Sequence, residues 1–83
     1  MILYPIILTY EENDGYLVYV PGMEINTHGA TINEAAEMAV DAITHCGLAY
    51  KDLGKEIPTP ATDPKPADGE MLVWVQIDFE RYV

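Results

Sequence analysis

Thr31-Ile32-Asn33-Glu34-Ala35-Ala36-Glu37-Met38-Ala39-Val40 is the stretch where the chain changes its period. Before it, apolar residues crowd into short β-branched and aromatic runs. From Ile32 onward they recur three and four apart, at Ile32, Ala35, Ala36, Ala39, Ile43, Cys46, Tyr50 and Leu53, which is the spacing of one helix face. Thr31 stands three residues before Glu34, so an N-cap hydroxyl and a returning carboxylate can each satisfy a free amide at the helix end. A helix is therefore predicted to start at Ile32, with Asn33, Glu34, Glu37, Asp41 and Thr44 mostly on its outer side. Its inner row is rich in alanine, which lets a helix approach a sheet closely. Gly47 predicts an end or a bend in the last turns, because glycine costs up to about 1 kcal/mol relative to alanine in a helix.

Upstream, Ile2 to Tyr10 has apolar residues at both parities, the pattern of a strand covered on both faces. Pro5 has no amide proton and is expected at a strand start, a bulge or a position without a ladder bond. Glu11 to Gly15 is a polar turn leading into a second strand, Tyr16 to Val20, so the two form a hairpin. Pro21-Gly22 stops that strand, and Glu24 to His28 is a short third strand, expected at an edge. Downstream of the helix, residues 54–69 carry prolines at 58, 60, 64 and 66 and read as an extended connection inside one domain, 1–83. Glu70 to Phe79 then alternates, with Met71, Val73, Val75, Ile77 and Phe79 on one face and Leu72, Trp74, Gln76 and Asp78 on the other.

The predicted order is β-β-β-α-β, an α+β domain with one helix on one face of one sheet. A strand, a crossover helix and a strand in the same sheet normally run parallel, so the last strand is expected parallel beside the first, making the sheet mixed. One helix covers one face, yet the first strand has apolar side chains on both, and Leu72 and Trp74 add to the second. An apolar second face on a small domain predicts an interaction surface. An 83-residue chain also has a marginal core, which favours association, as a dimer or a tetramer.

Fourteen acidic residues face four basic ones, a formal net charge of −10. The basic residues are Lys51, Lys55, Lys65 and Arg81, so the first fifty residues hold neither lysine nor arginine. Affinity for nucleic acid and for anionic membranes draws on cations, so neither is an expected partner. Acidity favours fast encounter with a basic protein. A lone cysteine, Cys46, excludes an intrachain disulfide and fits a reducing compartment. There is no bilayer-length apolar run, and no basic start of a signal peptide. A cytoplasmic location is the expectation.

Catalysis is not expected. A two-metal nuclease needs carboxylates projecting from adjacent strands into one pocket, whereas the first strand has no acid in its interior and the others lie in turns or near the chain end. His45 and Cys46 are neighbours on a helix and point apart, and with His28 alone they fall short of a zinc site. The chain contains no serine, no nucleophilic triad and no phosphate-binding glycine loop. No metal or cofactor is expected. The tyrosines lie among acids, which favours core or protein-interface roles over base stacking.

Asp14-Gly15-Tyr16, Val20-Pro21-Gly22, Thr27-His28-Gly29-Ala30-Thr31, Glu34-Ala35 through Ala42-Ile43, Gly54 to Pro60, and Val75-Gln76-Ile77-Asp78-Phe79 occur in an order and spacing that resembles the N-terminal domain of HicB-type antitoxins. The resemblance covers nearly the whole chain. It implies a partial ribonuclease H-like fold without catalytic carboxylates, a non-enzymatic protein, and a partner: HicA, a small basic toxin that cleaves messenger RNA using a histidine. Antitoxins of this type silence the toxin by masking its active site. Contact residues expected on this reading are Glu11, Glu12 and Asp14 of the hairpin, with Glu24, Tyr19 and Trp74. The chain departs from the family in a shorter Val20–Thr31 segment that lacks a second Pro-Gly. Within these residues no DNA-binding segment follows Tyr82, as it does in many members, so these residues are not expected to bind an operator, whether such a segment is naturally absent or was removed. The alternative is an orphan homo-oligomer of the same fold that has a structural or regulatory role and no toxin.

Overall fold

A computed structural model describes residues 1–80; Arg81, the fourth basic residue of the sequence, lies outside them. The elements are β1 (Ile2–Glu11), β2 (Gly15–Val20), β3 (Ile25–Gly29), α1 (Ile32–Asp52) and β4 (Glu70–Ile77). They form one four-stranded sheet in the order β3-β2-β1-β4 with a single helix. The order of elements, the hairpin and the edge position of β3 are as expected from the sequence.

The sheet is antiparallel throughout, which corrects the mixed sheet. β4 runs against β1 in a register from Ile2–Ile77 to Thr9–Glu70. The reason lies in the proline-rich connection. α1 leaves the top of β3 and descends the sheet over roughly 31 Å. The crossover rule would hold if β4 began there. Instead, residues 53–69 follow, enough extended chain to cover about 50 Å, whereas climbing the eight-residue β4 needs about 26 Å. The chain returns to the top before β4 starts downward beside β1. Near its start the connection is tied to the core, where the Tyr4 hydroxyl donates to the Pro58 carbonyl at 2.7 Å.

Tyr4, Ile6, Leu8, Val18, Val20, Val75, Ile77 and Phe79 meet Ala35, Ala39 and Ile43 of α1 in the core. The helix begins as its sequence dictates: the Glu34 amide donates to the Thr31 hydroxyl at 3.0 Å, and the Glu34 carboxylate accepts from the Ala30 amide at 3.1 Å. It runs on to Asp52 rather than ending at Gly47. That residue is buried, and a Cβ there would run into the Phe79 ring, so the glycine admits an aromatic side chain against the helix. Thr44, expected outside, is buried, with its hydroxyl donating to the Val40 carbonyl at 2.7 Å. Ile32 and Leu53, expected inside, are exposed at the helix ends.

Pro5 sits within β1 and is buried. The ladder with β2 starts only at Ile7–Tyr19, so at Pro5 the strand is paired with β4 alone. The missing amide falls where β2 makes no claim on it.

Candidate interaction surface

The strand registers place Leu3, Pro5 and Ile7 of β1, Leu17 and Tyr19 of β2, and Leu72 and Trp74 of β4 on the face away from the helix. Pro5 lies opposite Trp74, and Ile7 lies between Tyr19 and Leu72. Pro5 and Ile7 are buried at the centre of this face, whereas Leu3, Leu17 and Trp74 remain 50%, 45% and 48% exposed. Exposed apolar side chains gathered on one sheet face mark a surface built to be covered.

Five carboxylates gather at one end of the sheet. Glu11 ends β1, Glu12 and Asp14 lie in the turn after it, Glu34 is in the first turn of α1 and Glu70 begins β4 opposite Thr9. The turn is shaped by left-handed backbone at Asn13 (φ 76°) and Gly15 (φ 82°), and the Asp14 amide donates to the Glu11 carbonyl at 3.0 Å. Gly15 is required twice over, since a Cβ would meet the Gly29 carbonyl and come within 2.8 Å of the Ala30 Cα. That close approach brings the turn against the entry to the helix. The result is an open cleft of about 460 Å³ lined by Asn13, Asp14, Leu17, His28, Ala30 and Glu34. None of the four strands contains Lys or Arg, and the first lysine along the chain, Lys51, is in the last turn of α1, at the far end. The end where the hairpin meets the helix start is thus acidic with no lysine or arginine in its elements, whereas the far end mixes Glu56, Asp78 and Glu80 with Lys51 and Lys55.

Glu11, Glu12 and Asp14 are all exposed at that end. Tyr19 and Trp74 share the apolar face on either side of β1. Glu24 is not with the hairpin acids: it lies in the β2–β3 turn, at the opposite end of β2, roughly 17 Å along the strand. There, with φ 55°, it accepts a hydrogen bond from the Tyr19 hydroxyl at 2.7 Å. That bond, ahead of burial and the Glu24 charge, holds the Tyr19 phenol above its ordinary pKa. So the six expected contact residues divide into the hairpin acids, the apolar pair Tyr19 and Trp74, and Glu24, which lies apart from the hairpin and is bonded to Tyr19.

Sequence reasoning missed Glu34 and Glu70 as members of the acidic end. Glu34 was accounted for as a helix cap, and Glu70 joins only because β4 runs antiparallel. Leu3 and Leu17 were also absent from the expected contacts, although their alternation with Tyr4 and Val18 was a readable signal.

No protein-family model and no curated protein sequence matches this chain. Its structure is similar to that of a chain in the "Toxin-Antitoxin complex from Streptococcus pneumoniae", with a TM-score of 0.81 and 18% sequence identity, over 99% of this chain and 72% of that one. The two share a fold. No helix among the described residues is long and apolar enough to cross a membrane.

Proposed function

We propose that this chain is the toxin-binding domain of a HicB-type antitoxin, which binds a small basic HicA-type ribonuclease and masks its active site. The observation that carries this reading is the fold it shares with a chain of a toxin–antitoxin complex. The charge distribution supports it. A surface that grips RNA must be cationic, and its complement is an acidic surface beside an apolar one, as at the hairpin end here. Long-range attraction would speed encounter, and the apolar face around Trp74 and Leu17 would hold the complex once formed. On this reading the domain acts sterically and has no catalytic role, in keeping with a β1 that carries no acid between Ile2 and Tyr10. The partial ribonuclease H-like character, self-association and a cytoplasmic location belong to the same reading. The test is co-expression with any small basic protein found encoded beside this gene. A stable complex in which RNA cleavage is suppressed supports the proposal; a toxic neighbour that neither co-purifies nor loses activity refutes it.

A further inference from the structure

The two edges of the sheet, β3 and β4, meet solvent very differently. β3 is five residues long, carries Asn26, Thr27 and His28, and is preceded by Glu24 in a left-handed conformation. Short, polar and irregular edges resist pairing with another chain. β4 has none of these protections. It is eight residues long, and from Met71 to Ile77 it contains no charge, proline or glycine. Its only sheet neighbour among the described residues is β1, so its outer row of amides and carbonyls is open to another strand.

We propose that β4 pairs antiparallel with β4 of a second copy of this chain, joining two sheets into one of eight strands with both helices on the same side. The inference rests on the self-association part of the function proposed above and is independent of the toxin. A two-fold axis perpendicular to the sheet keeps each face on its own side, so residues facing one another across the axis must share parity. Two registers pair most of the strand. Centring on Trp74 brings Glu70 to the end of the partner strand beside Asp78, the residue just past β4, and leaves Glu70 without a strand partner, and like charges brought together are destabilising. Centring on Val73 sets Glu70 against Gln76, Met71 against Val75, and Leu72 against Trp74. The second register is the one selected. It also joins the two exposed apolar faces through their Leu72 and Trp74 side chains.

A second copy is favoured over a strand of a basic partner because this edge is uncharged between its ends. A cationic protein finds its complement at the acidic end of the domain instead.

The experiment uses the full chain alone, without any partner, so its failure is distinct from failure of the toxin reading. Sedimentation equilibrium of the wild type is compared with Gln76→Lys, Gln76→Glu and, as a control for net charge, Glu37→Lys on the outer side of the helix. Each charge at position 76 acts twice per dimer. Gln76→Lys is expected to tighten the dimer about fivefold and Gln76→Glu to weaken it about fivefold, while Glu37→Lys leaves it unchanged. A wild-type chain that stays monomeric at every concentration overturns the proposal. So does a dimer indifferent to position 76, or one that Glu37→Lys tightens as much as Gln76→Lys does.

Discussion

Replacing Gly47 with alanine tests the packing of helix on sheet, because two effects of opposite sign meet at one atom. In an exposed helix interior the change stabilises by about 1 kcal/mol, since alanine restricts the unfolded chain and favours helical backbone. Here the new Cβ would land on the Phe79 ring, with Cδ1 at 2.6 Å and Cζ at 3.0 Å. The ring has little free room, being 7% exposed and edge-on to Tyr4 with centroids 6.0 Å apart. Either the helix is pushed off the sheet, at about 1–3 kcal/mol for an overpacked core, or Phe79 is expelled and loses about 1.5–3 kcal/mol of burial. After the helical gain, a net loss of up to about 2 kcal/mol remains. In a domain of this size each kcal/mol corresponds to roughly 4–8 °C in Tm, so urea and thermal melts followed by circular dichroism resolve it. The same substitution made in a Phe79→Ala background should restore the ordinary gain of about 1 kcal/mol. A Gly47→Ala protein more stable than wild type, with Phe79 intact, would refute the reasoning.

Three further outcomes follow from particular contacts. Tyr4→Phe removes the bond to the Pro58 carbonyl and is expected to cost about 1 kcal/mol in urea unfolding at neutral pH. Burial first, and then the nearby Cys46, raise the Tyr4 phenol above 10.0. The fold therefore binds that proton more tightly than the unfolded chain does, so this stabilisation is complete below about pH 10 and is lost as pH rises through the raised value. Tyr4→Phe should flatten the alkaline limb of a stability–pH profile, and an unaltered limb would count against the assignment. Thr31→Ala removes the helix cap and should lower stability by about 1 kcal/mol, read as a shift in the urea midpoint. Reversing Glu11, Glu12 and Asp14 to lysine should weaken the toxin complex at least tenfold at low salt, with the difference shrinking as salt rises. Stability should barely move, because all three side chains are exposed; affinity unchanged by the reversal would remove the hairpin from the interface.

What could be read from the sequence was local. The hairpin follows from Asp14-Gly15, and the helix start from Thr31 and Glu34, because turns and caps are decided by residues a few positions apart. The apolar outer face followed from strand parity alone. The direction of β4 did not, because it depends on how far residues 53–69 travel, and a proline-rich segment reveals its stiffness but not its destination. Gly47 was misjudged for a related reason: its helical cost is a local property, whereas its use, making room for Phe79, involves a residue beyond the next strand. The expected contact set was partly dispersed because Glu24 and the hairpin acids, close in sequence, sit at opposite ends of β2.

The most direct measurement is a titration. A small basic HicA-type protein, sought first beside this gene, would be assayed for messenger RNA cleavage while this domain is added in increasing amounts. The account predicts that cleavage falls to background at a fixed stoichiometry, and that the block is relieved when the acidic hairpin is reversed to lysine. Cleavage that continues undiminished in the presence of excess folded domain would contradict it.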